Sequence, residues 1–279
     1  MSSFPRTMVG GVSLPRMIVG TNWFLGYSHT SLAQDKFIKD YQTRRNIADI
    51  LTVFLQAGID AIMGMPVPLL AEAIEEAQQR TGSEMIRIWT PHFDLTGQGS
   101  PEMQTEAVVA YCQKMGATFC MPHQCTTDAL VDRRAKVIRD IDPITKTIRD
   151  YGMIPGLSTH MPETIPYADA QGADVETYIQ IYNAAGFLMQ VEIDWVMHII
   201  RNAQKPVMTI KPLGAGRLMP IVGLAFVWST LRDQDMVTIG TTTPDEAKEV
   251  IDISCDLLSR RMPDYDLQKT RSKSSLERG

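Results

Sequence analysis

From residue 44 to residue 258 the chain alternates segments of 3.6-residue apolar period with short apolar runs, and this alternation restricts the fold more than any other feature. Helix-period segments at 44–57, 67–80, 101–115 and 128–151 lead into strand-like runs at 59–63, 85–91, 117–122 and 153–159. Each junction carries a glycine (Gly58, Gly82, Gly116 and Gly152), the residue that accepts the left-handed conformation closing a helix. Further on come strand 177–183, helix 191–203, strand 206–212, helix 218–231, strand 236–240 and helix 244–258. With 17–21 as the first strand the count is eight. Strands separated by helices pair in parallel through right-handed crossovers, and eight of them close into a barrel. The rival is an open doubly wound sheet, which more often carries a glycine fingerprint after its first strand; Gly20-Thr-Asn-Trp-Phe-Leu-Gly26 has the wrong spacing. The expected architecture is α/β: one (β/α)8 barrel over residues 1–258 and a polar, basic tail over 259–279.

Bulk properties agree with one barrel-sized unit, since 279 residues suit barrels of about 250. With 44% hydrophobic and 21% charged residues, the chain has enough apolar surface for a large core. A net charge of −5 argues against nucleic acid as a partner. The longest apolar stretch, 218–228, is too short to span a bilayer, and the N-terminus lacks the apolar core of a signal peptide, so the expectation is a cytoplasmic protein with no membrane partner. Cys112, Cys120, Cys125 and Cys255 have no CxxC spacing and read as reduced thiols. The connections 22–42 and 183–190 read as lids, packing flaps or an oligomer contact, and the basic tail as a segment that packs on another subunit of a homo-oligomer.

Four of the five histidines, His29, His92, His123 and His160, stand just after strand-like runs. In parallel α/β folds the C-terminal strand ends open onto the ligand crevice. His92, Asp94, His123 and His160 come from three consecutive strand ends and form a candidate site for a divalent metal (Zn, Mn or Mg) with a position left for water. Their other role is to hydrogen-bond substrate hydroxyls or neighbouring backbone. Lys211 ends an apolar strand, so burial would lower its pKa and suit it to proton transfer; its plainer role is an ion pair with Glu192 or Asp94. Gly214 and Gly216 either cradle a phosphate or only turn the chain, with Arg217 beside them. Asn22, Trp23, Gln180 and Asn183 close strands one and six and suit a polyhydroxylated substrate, or simply satisfy backbone groups. His198 belongs to a helix and reads as a surface or interhelical residue.

The last third of the chain resembles the aldo-keto reductases. Tyr182-Asn183, Lys211-Pro-Leu-Gly-Ala-Gly216 and the run from Val237 to Ile251 are similar to that family's segments in the same order, as is Leu55-Gln-Ala-Gly-Ile59 before strand two. The resemblance implies a barrel and carbonyl reduction by a tyrosine tuned by a lysine and an aspartate, with a histidine orienting the carbonyl. Strand two ends Ala61-Ile-Met-Gly-Met-Pro-Val-Pro68, without the aspartate or tyrosine, and strand three ends Trp89-Thr-Pro-His92 in place of the lysine. Of the four, His123 alone matches. The resemblance places a nucleotide at Thr241 and Thr242, but Thr243, Pro244 and Glu246 form a capping box there, with Asp245 and Glu246 opposing a phosphate, so NADP finds less support than a metal.

These residues lead to a lyase or isomerase acting on a sugar-like hydroxy-carbonyl compound, with Lys211, His92, His123 and His160 as its catalytic groups. Two alternatives stand beside it: an NAD(P)H-dependent reductase of the aldo-keto type with a rewired proton donor, and a non-catalytic barrel that binds a ligand or partner.

Overall fold

The computed structural model describes residues 4–95 and 104–263. The chain opens with an antiparallel hairpin, β1 (Arg6–Val9) and β2 (Val12–Pro15), turning at Gly10 and Gly11 with φ of 54° and 82°. Positive φ at both turn residues is the type I′ arrangement, whose twist suits a two-residue hairpin. This hairpin is absent from the expected element order, because two four-residue strands give too few alternations to stand out from a loop.

Then follow β3 (Met17–Gly20), α1 (Asn22–Leu25), α2 (Leu32–Tyr41), α3 (Arg44–Gln56), β4 (Ala61–Gly64), α4 (Pro68–Thr81), β5 (Ile86–Trp89), α5 (Thr105–Lys114), β6 (Ala117–Cys120) and α6 (Gln124–Leu130). A small hairpin, β7 (Val131–Asp132) and β8 (Val137–Ile138), precedes α7 (Ile141–Asp150), β9 (Ile154–Pro155), β10 (Leu157–Ser158) and α8 (Thr164–Gln171). The order ends with β11 (Tyr178–Ile181), α9 (Ile193–Asn202), β12 (Val207–Ile210), α10 (Pro220–Thr230), β13 (Met236–Ile239) and α11 (Pro244–Leu258).

The main sheet runs β10-β11-β12-β13-β3-β4-β5-β6-β9. Its ladders are parallel throughout. Its two end members, β9 and β10, are halves of one strand interrupted at Gly156; one half pairs with β6 and the other with β11, so nine pieces make a closed ring of eight strands. A side chain at Gly156 would press within 2.6 Å of the Met121 methyl and 2.8 Å of the Thr177 carbonyl oxygen, so the break sits where the chain has no room for a Cβ. The first and last barrel strands pair as the closed architecture demands, with Met17, Ile18 and Val19 opposite Val237, Thr238 and Ile239.

Inward side chains of the strands, among them Ile18, Ala61, Ile88, Phe119, Ile179, Met208 and Met236, fill the barrel, and Val9 and Leu14 of the hairpin join them to seal its N-terminal end. The larger cluster lies between the strands and the helical ring, where Phe54, Ile74, Trp89, Ile148, Tyr178 and Val196 are buried. Each such side chain contributes about 1.5–3 kcal/mol on burial.

The expected helix over 128–151 is corrected to α6, the β7–β8 hairpin and α7. The Asp132 carboxylate accepts the amides of Arg134 (3.0 Å) and Ala135 (2.9 Å), and Lys136 and Asp140 take positive φ. A side chain that satisfies nearby amides offers the backbone an alternative to the helix, and here that local turn wins. Helix α8 is also absent from the expected element order, since it buries only Thr164, Ile165 and Ala168 and carries Pro166 in its first turn. Of the basic tail, residues 264–279 lie outside the described residues. Among those described, no helix is long and apolar enough to cross a membrane.

Candidate active site

At the C-terminal ends of the strands a cavity of about 840 Å3 opens, lined by Asn22, Trp23, Tyr27 and His29 from the connection after β3, and by His92, His123, Cys125, His160 and Lys211 from later strand ends. The connection over 22–42, foreseen as a lid or a flap, forms part of the cavity wall. Its position depends on Asp35, whose carboxylate accepts the Ser28 amide (2.8 Å) and hydroxyl (2.6 Å).

Lys211 follows directly on β12. Burial holds its ammonium down at a pKa of about 8. Its partner is neither Glu192 nor Asp94: Nζ lies 2.8 Å from His29 Nε2, which joins residues 182 positions apart. Asn22 Nδ2 approaches the same ring nitrogen at 3.4 Å. Burial, then the Lys211 charge, lowers the His29 pKa, so at neutral pH its ring accepts from the ammonium. Both backbones are left-handed, with φ of 56° at His29 and 60° at Lys211.

Across the cavity, Cys125 Sγ lies 2.9 Å from His92 Nδ1 and 3.0 Å from His123 Nδ1. His123 is the N-cap residue of α6 and also receives the Cys125 amide at 3.5 Å. Burial, then His92 and Lys211, depresses the His123 pKa. His160 falls to about 4, through burial, then Lys211, His123 and His29. Its backbone amide is held by the Asp128 carboxylate at 3.2 Å, and the same carboxylate takes the Thr159 hydroxyl. Burial raises the Asp128 pKa in turn. His29, His123 and His160 therefore stand as neutral imidazoles around the buried Lys211 ammonium.

Other expected site residues divide. Thr241, Thr242, Gly216 and Arg217 line the cavity. Arg217 stacks over Phe187 at 3.8 Å and donates to the Gly214 carbonyl, so it braces the β12–α10 loop. Gly214 is not among the lining residues; its φ of 55° serves the turn. Gln180 is fully buried, with its amide nitrogen on the Ile181 carbonyl, and does not reach the cavity. Asn183 is also enclosed: it donates to the Phe187 carbonyl and accepts the Ala185 and Phe187 amides, tying down the 183–190 loop. Asn183 thus serves the backbone of its loop, whereas Gln180 spends only its amide nitrogen there and its Oε1 is buried without a partner. His198 is exposed on α9, stacked on Trp195.

The expected metal site is corrected. Among the described residues no group of three or more His, Cys, Asp or Glu side chains is arranged to hold a metal ion. Asp94 does not line the cavity, and the Nδ1 atoms of His92 and His123 are turned to the Cys125 sulfur. Two residues that matter here are not set apart by spacing: His29 is one of four histidines that follow strands, and Cys125 reads as a reduced thiol. The signal for Cys125 was its place two residues after a strand-end histidine, at the start of a helix.

Solved structures with this architecture include a provisionally described aldo-keto reductase from Pseudomonas aeruginosa (TM-score 0.65, 15% identity, covering 92% of this chain and 98% of that one). An aldo/keto reductase from Brucella melitensis matches at TM-score 0.59 and 13% identity over 100% and 98% of the two chains. The glycerol dehydrogenase from Gluconobacter oxydans matches at 0.56 and 13% over 97% and 99%. The chain has the aldo-keto reductase fold. No family model matches the sequence, and no curated protein does. On the aldo-keto reductase frame, the strand ends where the resemblance places the aspartate and lysine carry Met63, Gly64 and Thr90, all lining the cavity.

Proposed function

We propose that this barrel interconverts a small, polyhydroxylated carbonyl compound and its alcohol with a nicotinamide cofactor, Lys211 replacing the tyrosine as proton donor. The observation that carries this reading is the Lys211 ammonium, buried in the cavity wall with a pKa of about 8 and held by His29. A proton donor works best when its pKa lies near the working pH. The fold likeness supports the same reading, since its neighbours are reductases and a dehydrogenase.

The residues at β12 and β13 fit a dinucleotide. Thr241 Oγ1 is buried, belongs to a cavity-lining residue and has no partner within the protein, a polar atom left for a ligand. Glu246, by contrast, accepts the Thr242 amide (2.6 Å) and hydroxyl (2.7 Å), which puts a carboxylate where an additional phosphate would bring like charge. This combination favours NADH over NADPH. When bound, the cofactor supplies the hydride. Lys211 donates its proton to the developing alkoxide, and His160, Asn22 and Trp23 orient and enclose the substrate.

A lyase or isomerase is the second reading, favoured by the neutral histidines gathered round Lys211, which suit proton shuttling without any cofactor. Two measurements separate the two. NADH binding by nicotinamide fluorescence, with oxidation of NADH on adding hydroxy-aldehydes, is expected for the reductase. Deuterium incorporation next to the carbonyl in D2O without NADH, and no NADH oxidation, would replace it with the isomerase.

A further inference from the structure

Of the described cysteines, Cys112 and Cys120 are buried and Cys255 is half-buried, whereas Cys125 is exposed and lines the cavity. Its sulfur lies between two ring nitrogens, 2.9 Å from His92 and 3.0 Å from His123. A thiol has one hydrogen and can donate to only one of them. The Cys125 amide, which can only donate, also points at His123 Nδ1 (3.5 Å), so that nitrogen is the unprotonated one. It follows that Sγ–H donates to His123 while His92 presents Nδ1–H to the sulfur. This is the arrangement of an activated nucleophile: a base to take the thiol proton and a donor to hold the resulting thiolate. The two histidines come from the ends of β5 and β6, so neighbouring barrel strands fix the pair.

The geometry points to Cys125 as a covalent capture site for aldehydes, with His123 as its base and His92 as its thiolate donor. Sγ attacks the carbonyl carbon, an S–C bond forms, and the C=O π pair moves to oxygen. The thiol proton passes to His123 Nδ1 and then to that oxygen, leaving a hemithioacetal with no change of oxidation state. Partial desolvation in the cavity wall raises the Cys125 pKa, so the free thiol rests protonated and reacts with the help of its base rather than as a standing thiolate. The inference rests on the proposed function only in taking a carbonyl compound as the ligand.

The test uses the full chain without a dinucleotide, so its result is independent of hydride transfer. Iodoacetamide labelling followed by peptide mass spectrometry is expected to modify Cys125 at least about tenfold faster than Cys255, and His123→Gln to slow Cys125 labelling by about tenfold. Glyceraldehyde is expected to protect Cys125 reversibly, and glycerol is not. Equal labelling of Cys125 and Cys255, an unchanged rate in His123→Gln, or equal protection by glycerol would each overturn the proposal. Should His123→Gln fail to fold, 13C-labelled glyceraldehyde decides: a protein-bound hemithioacetal carbon resonance in the wild type, lost in Cys125→Ser, supports capture, and its absence from the wild type removes it.

Discussion

The two ends of this barrel treat backbone strain in opposite ways. At the N-terminal end, where helices return to strands, positive φ falls on glycines: Gly58, Gly82, Gly116 and Gly152, with Gly10 and Gly11 in the sealing hairpin. At the C-terminal end it falls also on His29, Lys211 and Ala215, residues with side chains, each in a loop lining the cavity. A left-handed L-residue costs about 1–2 kcal/mol. The first of these ends is therefore relaxed at its helix-to-strand junctions and filled with apolar groups. The other accepts strain because His29 and Lys211 must present particular atoms to the cavity, which is where strained residues tend to gather.

Four experiments press on this contrast. The largest effect is expected at the sealed end: Leu14→Ala, in the hairpin that closes the barrel, should cost about 2–5 kcal/mol in chemical denaturation while kcat of the folded enzyme holds. A loss of kcat without loss of stability would dissolve the division between the ends. Next comes Lys211→Met, expected to reduce kcat of NADH-dependent carbonyl reduction by about two orders of magnitude with the fold intact. An effect confined to KM would leave Lys211 an anion clamp.

The pH profile follows. Lys211 must be protonated to donate, so the reduction rate is expected to hold below its pKa of about 8 and fall above it. His29→Phe removes the acceptor of the ammonium, which disfavours the charged form, so the alkaline limb should move to lower pH by about one unit. An unmoved limb would show that His29 does not position Lys211. The smallest effect carries the most telling sign. Ala215→Gly usually weakens a protein, but at φ of 56° it should stabilise by about 1 kcal/mol, raising Tm by about 2–4 °C. A fall in Tm would mean that the strain is not there.

Sequence patterns reached the barrel because alternation and the helix-closing glycines are local signals, repeated often enough to survive individual errors. They failed where one residue's side chain redirected the chain, as Asp132 does in breaking the expected long helix. For the site, position at a strand end was readable, and the cavity does gather His92, His123, His160 and Lys211. What a side chain spends its hydrogen bonds on was not. Gln180 lies on the sixth barrel strand, β11, and Asn183 two residues past its end, yet both turn to backbone partners. Lys211 and His29 meet across 182 positions, a pairing to which no spacing rule applies. Cys125 read as an ordinary thiol because its character comes from His92, which lies 33 residues away.

The seam between the first and last barrel strands has a bearing on how the chain becomes a barrel at all. Arg16 sends its guanidinium to the carbonyl oxygens of Asp235 and Arg232, 219 and 216 positions distant. Arg232 in turn pairs with the enclosed Asp235 carboxylate at 2.8 Å. Until β13 and the turn before it exist, β3 lacks this neighbour and Arg16 lacks these acceptors. Contacts of such separation form slowly, and an uncovered strand edge invites pairing with another molecule. Through the interval before β13 is made, the ring therefore cannot close. The hydrogen bonds of Arg16 mark the moment at which that interval ends.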